Sequence, residues 1–283
     1  MDKQKLELLI QQALQEDVGD GDHSTLCCIP ADAMGKATLR IKQDTIIAGL
    51  EVAEFVFDLL DPNAEFIAHH KDGDSVKDGM IAFDVKAPVH IILKAERLVL
   101  NIMQRMSGIA TLTHRYVQAL EAFHTRLLDT RKTTPNFRLL EKEAVRIGGG
   151  LNHRFGLYDM IMLKDNHIDF CGSIEKAIHL AADYVTAHHP HLKIEVETRS
   201  IDDVKKVLAV GRVHRIMLDN FTPEQLKTAV ELIDKRFETE ASGGVTLDTI
   251  RDYAASGVDY ISCGAIIHQA TSVDLSLKAV VAN

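Results

Sequence analysis

The rhythm that sets in after Phe123 limits the fold more than any other feature of this chain. Short apolar stretches alternate with helix-like ones: RLLDT from 126, MIMLKD from 160, IEVET from 194, RIMLDN from 215, ETEASGG from 238 and YISCGA from 260. Helix start signals stand between them. Thr222-Pro223-Glu224-Gln225 offers an N-cap, a proline at the first helical position and a glutamine three residues after the cap. Ser173, Ser200 and Thr246 are placed to cap other helices. Strand–helix units recurring at roughly 20 to 35 residues imply parallel strands joined by helical crossovers, in a barrel or an open doubly wound sheet. Nearly every strand ends in a polar or glycine group: Asp129 to Lys132, Lys164, Glu197, Asp219, Ser242 to Gly244, and Gly264. A barrel gathers all those ends on one ligand-binding face, whereas an open sheet spreads them along a crevice. The six units fall short of eight, so an incomplete (β/α) barrel is expected.

The preceding residues follow another pattern. Residues 3 to 16 make an amphipathic helix with Leu6, Leu9, Ile10, Ala13 and Leu14 on one face. Ala37, Leu39 and Ile41, then Ile81, Phe83 and Val85, recur with period two between glycines, which predicts a small, largely antiparallel sheet. From about Ala95 to Phe123 the pattern is helical again. The expected division is an N-terminal α/β domain over 1–105 and the barrel over 106–267, with the tail 268–283 able to pack back on the first domain.

Composition narrows the function. With 46% hydrophobic and 26% charged residues the chain reads as an ordinary globular enzyme. No stretch approaches the roughly 18 apolar residues of a membrane helix. The opening MDKQKLELLIQQ has no secretory apolar core, so a cytoplasmic protein is expected. Cys27, Cys28, Cys171 and Cys263 form no C-x-x-C pair and read as reduced thiols. His69-His70 and His188, His189 and His191 read as solvated loop residues rather than metal ligands. The formal net charge is -9, yet Arg126 to Lys164 carries eight Lys/Arg against four Asp/Glu. A cationic core in an acidic protein suits a small, highly charged anion, whereas nucleic-acid binding favours a basic surface.

That cationic segment lies on the first two barrel units. Arg131 and Lys132 follow the first strand, Lys164 ends the second, and His153 and Arg154 come just after Gly148-Gly149-Gly150, where backbone is open to a ligand. Arginines hold carboxylates or phosphates bidentately, so several together suit a multiply charged substrate. Arg138, Lys142 and Arg146, spaced by four among Glu141 and Glu143, read instead as a salt-bridged helix face. Glu197 and Asp219 should point into the same mouth, to orient sugar hydroxyls, to hold Mg²⁺ directly or through water, or to neutralise Lys164 and Arg131. Glu195 shares the face of Glu197 but lies deeper, where a lysine is its expected partner. Ser242-Gly243-Gly244 and Gly264-Ala265 each follow a strand and precede a helix, a common barrel site for phosphate. A rival chemistry uses Lys164 as the Schiff-base lysine of an aldolase or isomerase. Another rival is a phosphate-binding protein without catalysis.

The segment DTRKTTP…RIGGGLNHRFGLYDMIMLKDNH resembles the hallmark of the quinolinate phosphoribosyltransferases, the nicotinate-nucleotide pyrophosphorylases of NAD biosynthesis. EDVGDGDHST, ERLVLNIMQRMSGIAT, EVET, MLDN, ASGG and CGAIIH extend the likeness over nearly the whole chain. The resemblance implies a small N-terminal α/β domain, an incomplete barrel of the type II phosphoribosyltransferase kind, and a homodimer whose active sites are shared. The implied substrates are quinolinate and 5-phosphoribosyl 1-pyrophosphate, with Mg²⁺ as cofactor. By position, Arg131, His153, Arg154 and Lys164 match residues that bind the quinolinate carboxylates, and Arg97 matches an arginine from the neighbouring subunit. Thr130 and Lys132 match the sugar-phosphate side. Glu197 and Asp219 match ribose and Mg²⁺ ligands, with Lys164 beside them in the reaction. Ser242, Gly243 and Gly244, with Gly264, Ala265 and Ile266, match the phosphate loops. Two positions depart from the pattern: Asn136-Phe137 stands where Gly-Leu is usual, and Glu143 where Tyr or Gln is commoner.

Overall fold

Side-chain caps start the first helices of the computed structural model, which describes residues 1–280. Asp2 accepts the Lys5 N–H ahead of α1 (Lys3–Val18), and Asp22 accepts the Thr25 N–H ahead of α2 (His23–Cys28). There follow β1 (Met34–Ile41), β2 (Thr45–Ile46), α3 (Leu50–Leu60), β3 (Glu65–Ala68), β4 (Ser75–Val76), β5 (Ile81–Pro88) and α4 (Val89–Ala119). The strand–helix alternation then begins with β6 (Arg126–Leu128), α5 (Arg138–Ile147), β7 (Ile161–Leu163), α6 (Asp165–Cys171) and α7 (Ile174–His188). It continues through β8 (Ile194–Thr198), α8 (Ile201–Val210), β9 (Arg215–Asp219), α9 (Pro223–Ile233), β10 (Glu238–Ser242) and α10 (Ile250–Ala255). The last elements are β11 (Tyr260–Ser262), α11 (Ala265–His268) and β12 (Leu275–Ala279).

Two units result: residues 1–114 and 133–149 with the segment from Gln269 onward, and residues 115–132 with 150–268. The expected boundary at 105/106 falls inside α4, and α5 belongs to the first unit. Residues 281–283 of the expected C-terminal tail lie outside the described residues.

In the first unit an antiparallel sheet runs β12-β1-β5-β3, with Leu39 opposite both Phe83 and Leu277. Phe83 packs its ring 4.5 Å from that of Phe66 and, edge on, 6.2 Å from that of Phe57. Ile81 does not share the buried face expected of it. A bulge between Leu39 and Arg40 shifts the register, so Ile81 lies opposite the exposed Arg40 and is itself 37% exposed. The Arg105 guanidinium donates to Glu141 from Nε at 3.0 Å and from Nη2 at 2.8 Å, tying α5 to α4. Gly148 is needed for close packing, because a Cβ there would sit 2.5 Å from Ala110 O and 2.8 Å from Thr113 Cβ. Gly148 therefore packs closely against α4.

On α5, Arg146 pairs with Glu143 at 2.5 Å as the spacing suggests, while Lys142 is 2% exposed and Arg138 donates to Thr133 Oγ1 at 3.0 Å. Long-range packing, invisible to the spacing of four, draws Lys142 and Glu141 inward.

The second unit contains six parallel strands in the order β6-β11-β10-β9-β8-β7. The first strand in sequence pairs with the last, Leu127 opposite Ile261, while β7 pairs only with β8. That order curls the sheet into the incomplete barrel expected, open between β6 and β7. Its helices start as their sequences indicate: Ser173 and Ser200 cap α7 and α8, and Thr222 forms a capping box with Gln225. Thr246 is the exception. It opens a turn that delays α10 to Ile250, and Thr249 is the residue before the helix. Among the described residues no helix is long and apolar enough to cross a membrane.

Candidate active site

Strand register fixes which side chains enter the barrel. Glu195 aligns with Arg215 and Glu238, Glu197 with Met217 and Glu240, and Asp219 with Ser242. Aligned residues share a face and alternate residues share it too, so all eight project to one side, the interior. All five residues of β8 are buried, as a strand inside a covered parallel sheet must be.

At the carboxyl ends of the strands the expected residues come together in oppositely charged sets. Lys164 precedes α6, and its Nζ lies 3.2 Å from Glu197 Oε2; the lysine side chain is 46% exposed, the glutamate 7%. Asp219 accepts from Ser242 Oγ at 2.5 Å and from Asn220 Nδ2 at 2.7 Å, one bond to each carboxylate oxygen. Asn220 takes a left-handed φ of 58°, and Gly243 turns beside it with φ 90°. Any Cβ on Gly243 would collide with the Asn220 side chain. The Lys132 side chain lies over Gly264, with its Cδ 3.0 Å from where a Cβ would stand, and Thr130 Oγ1 accepts the Lys132 N–H at 3.0 Å. Ala265 and Ile266 open α11 directly after Gly264. Burial, then repulsion from nearby Arg131, pulls the Arg154 guanidinium below its ordinary value. Two adjacent like charges of this kind favour an anion between them.

Beneath the mouth lies a charged network that sequence reasoning largely missed. Glu195 does not pair with a lysine: its Oε2 is 3.0 Å from His153 Nε2, and Glu240 Oε2 is 3.3 Å from the same nitrogen. Arg215 donates to Glu240 from Nη1 at 2.8 Å and to Glu238 from Nη2 at 3.0 Å, and its guanidinium stacks 4.1 Å from the Tyr260 ring centre. Burial pushes Glu195 up to about 7, with Glu240 adding to the effect. Burial also opposes charge on His153, but its two carboxylate neighbours push it up to about 9, a pull that the Arg154 N–H bonded to Nδ1 resists. His153, Glu195 and Glu240 offer ligand atoms within 4.8 Å of one another, the donor types of a cation site. Arg215 already supplies the opposing charge there. Fully buried Asp129 accepts the His153 N–H at 2.8 Å and Asn152 Nδ2 at 2.7 Å, pinning the loop that carries His153 and Arg154. The one sequence signal for this network was charge at alternate positions of two apolar strands, Glu195/Glu197 and Glu238/Glu240.

Arg97 belongs to the first unit, on α4, where it lines a surface cavity of about 350 Å³ with Glu16, Asp17, Asn101 and Arg105. The Asn136 departure has a simple structural answer: its φ is 62°, the left-handed region that glycine favours and asparagine tolerates.

An incomplete barrel with guanidinium, ammonium and carboxylate groups around glycine turns at its mouth defines a class of barrels that hold phosphorylated, anionic ligands. The chain belongs to one family within that class, the quinolinate phosphoribosyl transferases: residues 22–107 match the family's N-terminal domain and residues 109–278 its C-terminal domain. It is 40% identical to the probable nicotinate-nucleotide pyrophosphorylase [carboxylating] of Bacillus subtilis, across 100% of this chain and 96% of that one. It is 44% identical to the chloroplastic nicotinate-nucleotide pyrophosphorylase [carboxylating] of Arabidopsis thaliana, over 96% of this chain and 82% of the relative. The crystal structure of NadC from Streptococcus pyogenes superposes with a TM-score of 0.91 at 40% identity, covering 98% of this chain and 97% of that one.

Proposed function

We propose that the barrel mouth transfers the phosphoribosyl group of 5-phosphoribosyl 1-pyrophosphate to quinolinate, giving nicotinate mononucleotide, pyrophosphate and CO₂. The observation that carries this reading is the meeting of two charge sets at one mouth. Arg154 feels the charge of Arg131, and Lys164 is paired with Glu197 at 3.2 Å. The family relatives carry the corresponding activity in their names.

Arg131, Arg154 and Lys164 neutralise the two ring carboxylates of quinolinate, with His153 bonded behind Arg154. Thr130 and Lys132, with the Ser242–Gly244 and Gly264–Ile266 turns, hold the phosphates. Glu197 and Asp219 orient the ribose hydroxyls. Neutralising both anions allows them to approach, so the pyridine nitrogen can lie near the anomeric carbon. The C1–O bond to pyrophosphate breaks with its electron pair leaving on oxygen, and positive charge grows on the ribose. The ring nitrogen then closes the new N–C1 bond and becomes cationic. That charge stabilises the electron pair left on the adjacent ring carbon when CO₂ departs, and solvent protonates it. Glu197 and Asp219 present hard oxygen donors on neighbouring strands, the donor chemistry of Mg²⁺, and would hold it directly or through water. When bound, Mg²⁺ stabilises the charge of the departing pyrophosphate.

The Schiff-base alternative for Lys164 has little support. Such a lysine is activated by apolar or cationic surroundings, whereas Lys164 faces Glu197. Arg97, exposed on α4, is proposed to complete the site of a second copy in a homodimer. The four free cysteines are in keeping with a cytoplasmic setting. The deciding assay measures pyrophosphate and CO₂ release from quinolinate, phosphoribosyl pyrophosphate and Mg²⁺, with nicotinate as control. Stoichiometric release with quinolinate alone is the expected result. Absence of CO₂, or equal turnover of nicotinate, would overturn the reading.

A further inference from the structure

Both ring nitrogens of His153 are engaged inside the protein. Nε2 faces Glu195 at 3.0 Å and Glu240 at 3.3 Å, and Nδ1 accepts the Arg154 N–H at 2.7 Å. A histidine held at both nitrogens has little hydrogen-bonding capacity left for a ligand, but it can fix whatever is bonded to it. Here that is the Arg154 backbone N–H, and the guanidinium of the same residue donates to Met160 O at 3.2 Å.

The support extends downward. Glu240 is itself held by Arg215 at 2.8 Å, and Glu195 and Glu240 are both fully buried on interior faces of rigid strands. Both carboxylates turn Oε2 to the same ring nitrogen of His153. Two buried carboxylates from separate strands aimed at one nitrogen hold the imidazole in place.

We propose that Glu195 and Glu240 are positioning residues that act through the His153 imidazole to set Arg154 for carboxylate binding, and that His153 itself serves as the link. This rests on the reading above in which Arg154 binds quinolinate. Metal-site supports work the same way, an outer carboxylate fixing an imidazole that fixes the functional group.

The test is a steady-state comparison of Glu195→Ala, Glu195→Gln and Arg154→Ala, each with KM determined separately for quinolinate and for phosphoribosyl pyrophosphate. Glu195→Ala should raise the KM for quinolinate about tenfold while the other KM stays within about twofold. Glu195→Gln keeps an acceptor for Nε2–H and should recover most of the loss, which a simple packing role would not predict. An unchanged quinolinate KM in Glu195→Ala, or an equal rise in both constants, overturns the proposal. Arg154→Ala separates the two levels, because an unchanged quinolinate KM there removes the ligand role of Arg154 itself. A crystal structure of Glu195→Gln supplies a readout independent of activity and of the alanine variant's folding. The His153–Arg154 hydrogen bond should persist there, and its loss with an unchanged quinolinate KM would show that the link does not set the site.

Discussion

The mouth of the barrel and its interior are equally rich in charge, yet the charges are used differently. At the mouth, Lys164 is nearly half exposed beside Glu197, so a ligand can compete for it. In the interior, Arg215, Glu240, His153 and Glu195 are closed in on one another. Burial strengthens every interaction there and makes each partner costly to remove. The difference teaches that charge alone does not mark a ligand contact; residual access does. The mouth offers groups to a substrate, while the interior fixes where those groups stand.

Substitutions in the two regions should therefore fail differently. The largest effect is expected at the mouth: Lys164→Ala or Arg131→Ala should lower kcat/KM by more than about a hundredfold. The melting temperature should stay close to that of the parent. Near-normal turnover in either variant would break the comparison at its functional end. In the interior, Glu240→Ala removes one of the two carboxylate partners of Arg215 and one of those of His153. Losing one member of a buried ion pair typically costs about 3–5 kcal/mol, so denaturant titration should show a loss on that scale. A loss below about 1 kcal/mol would mean that water satisfies the interior charges as it does those at the mouth.

The smallest effect is expected at Asp84 in the first unit. Its carboxyl is held below the usual carboxylate range by the Thr38 hydroxyl, against the opposing effect of burial, with help from His69 and Lys36. A depressed folded-state value means the stabilisation is present above the ordinary Asp value near 4 and fades as pH falls through the folded one. Asp84→Asn should thus lower the melting temperature slightly at pH 7, with the gap to the parent closing in acid. A gap that widened below pH 4 would reverse the sign of this argument.

Much of the barrel was legible because parallel strands buried on both faces announce themselves as short apolar runs, and polar residues mark their ends. MIMLKD, IEVET and RIMLDN each carry both signals. Capping was legible where one side chain decides it, as at Thr222, and illegible at Thr246, where a turn inserts before the helix. Ile81 misled because a bulge is a property of two strands together. The mouth was readable since strand order brings its residues together whatever their spacing. The interior was not: His153 meets partners 42 and 87 positions away, and nothing local to any of the three foretells it.

The pairing of early strands with late ones has a consequence for how the chain assembles. β6 finds its neighbour only in β11, and β1 gains one of its two only in β12. Residues near 127 must wait for those near 261, and residues near 39 for those near 277. Both sheets therefore lack a strand until the segment 260–279 has been made, and each of these pairings spans a long stretch of sequence. During synthesis the chain carries two unfinished sheets, and a short C-terminal stretch supplies the last strand of each.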